Sequence, residues 1–360
     1  MFRTERLNRR PRLAPARAGL SLIEVLIVIG IISILLGFLL PAVLNARSSS
    51  RRLQCKNNLR NVAFGLIAET ENRQKFPASG YFGVQGGDFH NWVVTILPWI
   101  DQNVIYNKWD FDKPFNTPAN FELGNSTIPV LVCPDDITVV GFGDLSFVVN
   151  GGFGWTGPPC GVITPSTYAP IDLNGAGPCK PGVHKKGEPS DFELLFQTGL
   201  MFAENWPKAN EHLKSHSMGT ILDGTSHTIL MVENIHSGND KSGHHGNWAN
   251  PLSWRTCFFI SGHVCKDFTC TVPNVDYSKA NDKTEAPYMY ESFNVAYQFE
   301  GAAPWPSSLH KGGVNVAFCD GSVRFVSETL DGRTYVSLVS PQGSRVEGAL
   351  AQVLIDDASF

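Results

Sequence analysis

The chain has 360 residues, 42% of them apolar and only 17% charged, with 34 Gly, 23 Pro and 23 Phe. That composition excludes a disordered chain and a plain helical bundle, and leans towards turns and strands. Formal charge is −4, but residues 1–19 carry six Arg and one Glu, so the remainder holds 23 basic against 32 acidic residues, −9. An acidic body excludes nucleic acid as the main partner, because phosphate binding requires a concentrated basic face.

The first 19 residues, MFRTERLNRRPRLAPARAG, are basic, broken by proline and without an apolar core; they read as a leader rather than a fold. From Leu20 to Leu40 every residue but Glu24 is uncharged and most are strongly apolar. As a helix these 21 residues span roughly 31 Å, enough to cross the hydrocarbon layer. No second run approaches that length, so the expectation is a single membrane pass. An ionised side chain deep in lipid costs on the order of 3 kcal/mol or more, which makes Glu24 a functional suspect. The small-residue cleavage site, Ala18-Gly19, precedes the apolar run, so a cut there leaves the anchor on the mature protein.

Past Pro41 the pattern turns amphipathic, with Leu59, Val62, Ala63, Leu66 and Ile67 at helical spacing. Residues 20 to about 70 are therefore expected to form one long helix, lipid-embedded over 20–40 and packed on a domain over 41–70. Pro41 is expected to kink or loosen it. The bases Arg47, Arg51, Arg52, Lys56 and Arg60 read as a solvated helix face near lipid headgroups.

Residues 71–360 read as a β-rich domain of short apolar runs bounded by Gly, Pro, Asn and Asp: WVVTILPWI (92–100), IPVLVC (128–133), SFVVN (146–150) and TILMVENI (228–235). Stretches near 151–190 and 236–290 read as loop-rich insertions. In HKGGVNVAFCDGSVRFVSETL (310–330) two alternating runs flank Asp320-Gly321, a strong hairpin signal with positive φ expected at both turn residues. The pieces fit an α+β fold, an antiparallel sheet packed on the long helix. Eight cysteines behind an export-type segment favour disulfides. They allow on the order of a hundred pairings. Cys160–Cys179 and Cys257–Cys270 would each close a local loop, and all-free thiols are the alternative.

Gly19 followed by Leu20-Ser-Leu-Ile-Glu24, then an apolar run ending in Pro41, resembles the N-terminus of type IV pilins and pseudopilins. The resemblance implies cleavage after Gly19 by a membrane prepilin peptidase and N-methylation of the new terminal residue, Leu20. It gives the Glu24 carboxylate a partner, the N-terminal amine of a neighbouring subunit during assembly, and places Pro41 at the family's helix kink. Leu20 departs from the Phe with which most members begin. The chain further resembles a bacterial family of unknown function with a C-terminal motif of His, nine residues, Asp-Gly, matched by His310 and Asp320-Gly321. RRLQCKNNLRNV (51–62), KFPASG (75–80), WVVTILPWIDQNVIYNKWDFDKPFN (92–116), IPVLVCPDD (128–136) and DGTSHTILMVEN (223–234) extend that likeness.

Cys319 beside His310 and Asp320 suggests a nucleophile and base, but Cys319 and Asp320 point to opposite faces of a strand. The turn motif is read as structural, with His310 capping or packing at its base. His212 and His216, at i, i+4 with Glu211 adjacent, suggest zinc without an HExxH pattern; His244-His245 read as a loop. Asp135, Asp136 and Asp144 offer calcium ligands, equally explained as turn residues. The Trp residues 155, 248, 254 and 305 suit a carbohydrate or peptide platform or, more simply, buried rings. The expectation is no metal and no cofactor, with calcium the minor alternative.

The reading is a non-enzymatic, membrane-anchored pilin-like structural or binding protein. It sits in the bacterial cytoplasmic membrane with its C-terminal domain outside, in the periplasm or at the cell surface. Its partners are the bilayer and prepilin peptidase, and it either stays a single-pass membrane protein or joins other pilin-like subunits in a type IV pilus or a type II secretion pseudopilus. Bases flank the apolar helix on both sides, so the outward placement rests on the resemblance and the cysteines. The alternative is an anchored hydrolase or lectin-like carbohydrate-binding protein.

Overall fold

The computed structural model describes residues 22–83, 87–139, 141–153, 191–206, 215–235, 237, 246–260, 306–347 and 351–352. The chain divides into two units, residues 1–50 and 51–360. Gly19 and Leu20 lie outside the described residues, as do Cys160, Cys179 and Cys270.

Helix α1 runs Leu22–Arg73, with Glu24 in its first turn and Pro41 inside it. Its residues to Ser50 are exposed, including Leu, Ile, Val and Phe on every side. Among the described residues it is the one helix long and apolar enough to cross a membrane. In the second unit its character changes: Cys55, Leu59, Val62, Ala63 and Leu66 form one buried face at helical spacing. A single long helix was the expectation, and one is found.

The second unit is built from β1 (Gly80–Gly83), β2 (Asp88–Asn91), β3 (Phe147–Phe153), β4 (Glu204–Trp206), β5 (Ile229–Glu233), β6 (Cys257–Ile260), β7 (Gly313–Phe318) and β8 (Val323–Ser327). Short helices join them: α2 (Trp92–Ile96), α3 (Asn103–Tyr106), α4 (Pro118–Gly124), α5 (Asp191–Thr198), α6 (Ser253–Thr256) and α7 (Gly332–Val339). Among the described residues there are two sheets, β2-β1-β4 and β6-β3-β5-β7-β8. The larger is antiparallel from β3 through β8, with β6 added parallel to β3.

Both faces of that sheet are buried, because side chains alternate between two apolar clusters. Phe147, Val149 and Ala317 join the α1 face, while Val148, Val316 and Phe318 face α7 and α5. On β5 the alternation breaks at a bulge between Ile229 and Met231, which puts Leu230 and Met231 on the same side. The result is an α+β domain of helix, sheet and helix layers.

Several expectations change in detail. The run 92–100 is helical, not extended: Asn91 Oδ1 caps α2 by accepting from Val93 N at 3.0 Å. Asn91 Nδ2 ties that corner to the carbonyls of Trp248 and Asn250. Residues 92–97 are buried all round, so no alternation distinguished helix from strand. Likewise Pro129–Leu131 is a 3-10 turn. The stretch 236–290 contributes more than loop, since Trp248 is in the core and β6 is a sheet strand.

The β7–β8 hairpin is present in the expected place, but its turn differs. Phe318 N donates to Ser322 O and Gly321 N to Phe318 O. Only Gly321 has positive φ, at 79°, while Asp320 does not. This is a three-residue loop of a type I turn closed by a left-handed glycine. Asp320 Oδ1 accepts from Ser322 N at 2.8 Å.

Candidate functional site

At the C-terminal end of β5 the sheet buries a polar cluster against α1. Glu233 follows Val232 and therefore points to the α1 side, where it is 1% exposed. A carboxylate buried this deeply is tolerable only if its oxygens are satisfied. Asn315, from the neighbouring strand β7, donates to both: its backbone N to Oε2 and its Nδ2 to Oε1, each at 2.7 Å. His310 Nε2 stands 3.2 Å from Oε1.

His310 is also buried, and its position is set from its own segment by His310 N donating to Ser308 Oγ at 3.1 Å. Its Nδ1 lies 3.3 Å from Asp135 Oδ2, and Arg51 of α1 pairs with the other oxygen of that carboxylate. The imidazole is thus held between two carboxylates, Asp135 and Glu233. Cys133 Sγ is 3.6 Å from His310 Nε2.

Cys133 is joined to Cys55 of α1 in a disulfide with Cα atoms 4.7 Å apart, closing a 78-residue separation. Cys55 Sγ also contacts Glu233 Oε1. The loop carrying Cys133 is held on α1 by Asn58 Nδ2, which donates to the carbonyls of Pro129 and Val132. Behind it Asp136 accepts from Thr138 N, Thr138 Oγ1 and Ser146 Oγ. Burial pushes the Asp136 carboxyl above its ordinary value, against those hydrogen bonds. The ligand-type atoms of Cys55, Cys133, Glu233 and His310 all lie within 4.8 Å of one another.

The motif histidine therefore does more than cap a hairpin. It bridges strand, loop and helix through charged groups, while Asp320-Gly321 acts as the turn. The pairing of Cys55 with Cys133 was not among the disulfides expected. Cys257 is instead a free thiol in the core, and burial pushes it up to about 11. Cys319 is free and fully buried too, and burial raises it well above the usual thiol range, contrary to what a nucleophile needs. In the sequence Cys55, Cys133, Glu233 and His310 each fall in a separate recognisable passage, but nothing there signalled that the four meet.

The other candidates resolve separately. His216 is buried with both nitrogens engaged, Nδ1 with Thr220 Oγ1 at 2.8 Å and Nε2 with Phe196 O at 2.6 Å. It stacks on Phe196, and burial pushes it down to about 4, the behaviour of a core histidine. Glu211, His212, His244 and His245 lie outside the described residues. Asp135, Asp136 and Asp144 face different partners, Asp144 Oδ2 accepting from Gly141 N. Trp248 is buried with its Nε1 donating to Ser126 O. Arg51 and Arg52 are tied to the domain, Arg52 lying 3.6 Å over the Phe325 ring, rather than merely solvated.

Comparison with known proteins matches residues 45–333 to a family described as a protein of unknown function, DUF1559. The chain belongs to that family. Residues 15–40 of this DUF1559 protein match the prokaryotic N-terminal methylation motif, so it carries the pilin-like processing signal. No curated protein and no solved structure gives a significant match. All four residues of the buried cluster fall within the DUF1559 match.

Proposed function

We propose that this DUF1559 protein is a membrane-anchored, pilin-like structural or binding protein. Prepilin peptidase cuts it after Gly19, Leu20 becomes the methylated N-terminus, and the apolar part of α1 holds it in the cytoplasmic membrane. Residues 51–360 then stand outside that membrane. The observation that carries the reading is the methylation motif over residues 15–40, set at the head of a helix whose first part is apolar and exposed.

Assembly into a pilus or secretion pseudopilus is the finer part of the proposal, and Glu24 supports it. A carboxylate costing about 3 kcal/mol in lipid is offset by pairing with an amine, and cleavage after Gly19 creates one on the Leu20 of a neighbouring subunit. The disulfide between Cys55 and Cys133 is consistent with an oxidising compartment.

The test is the intact mass and N-terminal peptide of the protein extracted from its native membranes. Loss of residues 1–19 with one added methyl group on Leu20 is expected. An intact Met1 leader, in cells with active prepilin peptidase, overturns the processing pathway. Gly19→Val is expected to leave the leader attached. Glu24→Gln is expected to leave cleavage intact but abolish cross-linking to other pilin-like subunits.

A further inference from the structure

We propose that the reduced form of the Cys55–Cys133 pair, together with His310 and Glu233, is a binding site for a divalent cation of the zinc class. The disulfide is then its closed, metal-free state. This inference is independent of how the N-terminus is processed.

The convergence of lone pairs carries the argument. His310 Nδ1 is directed at Asp135 Oδ2, 3.3 Å away, so with its proton there the Nε2 lone pair faces the cluster. What it faces is electron-rich: Glu233 Oε1 at 3.2 Å and Cys133 Sγ at 3.6 Å, with Cys55 Sγ against the same oxygen. With the disulfide opened, a cation, either a proton or a metal, is what these lone pairs can share. Two sulfurs, one imidazole and one carboxylate form a four-ligand set for a borderline-soft ion, and they are a poor match for calcium or magnesium.

The surroundings are those of a metal centre as well. Asp135 behind His310 makes the carboxylate–histidine arrangement that fixes the tautomer and ring of a ligating histidine, and Arg51 orients Asp135 in turn. Glu233 is held by Asn315 through both oxygens. The loop bearing Cys133 is fixed to α1 by Asn58. In the reduced pair the sulfurs part to about 3.8 Å, the edge of a tetrahedron with bonds of about 2.3 Å.

Opening the site takes two electrons and two protons from a dithiol, which leaves as its own disulfide, and turns Cys55 and Cys133 into thiols. Uptake of Zn2+ then displaces those two thiol protons, so binding releases two protons and weakens as pH falls.

The experiment uses the detergent-solubilised full chain, oxidised or reduced with dithiothreitol and freed of reductant without air, then equilibrated with Zn2+ or Co2+. One zinc per chain is expected in the reduced protein beyond any taken up by the oxidised protein. Cobalt is expected to give the charge-transfer and ligand-field bands of a tetrahedral thiolate site. Asp135→Asn, isosteric and outside the proposed ligand set, is expected to weaken binding 10- to 100-fold. His310→Gln is expected to lose the cobalt spectrum, and Cys257→Ser, a thiol outside the cluster, to keep it. Failure of the reduced protein to take up the additional ion overturns the proposal. So does uptake that His310→Gln and Asp135→Asn leave unchanged.

Discussion

Glu233 shows how a buried charge is organised one atom at a time. Its two oxygens receive Asn315 and meet His310, and the same histidine leans on Asp135. Removing one member strands the others, and an uncompensated buried charge is expensive. His310→Ala is expected to cost about 3 kcal/mol of stability, measured by urea unfolding followed through tryptophan fluorescence. Cys133→Ser removes a cross-link over a 78-residue separation, worth roughly 4 kcal/mol of denatured-state entropy. Its unfolding free energy should fall by a similar amount, and that of the wild type in reductant should approach it. None of these partnerships was legible from residue identities. A histidine beside an Asp-Gly hairpin looks like a packing residue until the strand holding Glu233 is placed next to it.

The β7–β8 hairpin is the element that local sequence marks best, because turn chemistry and alternation act within a few residues. Its neighbouring glycines separate two costs of adding a side chain. Gly312 has φ of 86° with open space around it, so Gly312→Ala is expected to lose about 1 kcal/mol for the left-handed backbone alone. At Gly313 an added Cβ would meet the backbone carbonyl of Val326 on the paired strand, which cannot move aside. Gly313→Ala is therefore expected to cost about 3 kcal/mol or more and to unzip the hairpin, seen as faster amide exchange from Val314 to Val326. Helix α1 is legible for the same local reason, its apolar stripe from Cys55 to Leu66 recurring at helical spacing. Two buried elements were not. Residues 92–100 lack periodicity, and the four-residue β6, Cys257–Ile260, sits in a stretch whose flanks read as loop.

For the whole molecule, two buried histidines make stability depend on pH. Burial holds His216 down to about 4 and His90 to about 3, against about 6.5 in the unfolded chain. Between those values the unfolded chain binds protons that the folded one refuses, so stability is present above pH 6.5 and is lost as pH falls. The unfolding free energy should drop steadily from pH 6.5 towards 4, by on the order of 3 kcal/mol for His216 alone. His90→Phe keeps a ring against Tyr81 and Phe111 and should flatten that slope, whatever it does to the absolute stability.

What the sequence by itself determined is whatever neighbours in the chain decide: the long helix and the change from lipid-type to amphipathic within it, the α+β class, the hairpin, and the motifs that mark the family. These depend on spacing, and spacing is written in the chain. What only the tertiary structure decided is which distant residues share a site. Cys55 reaches Cys133 across 78 positions and Glu233 across 178, and Cys133 reaches His310 across 177. Those meetings follow from strand order and from which face each strand turns to α1. Strand order and facing are settled by burying both sides of one sheet at once, a balance over the whole domain that no short stretch of sequence records.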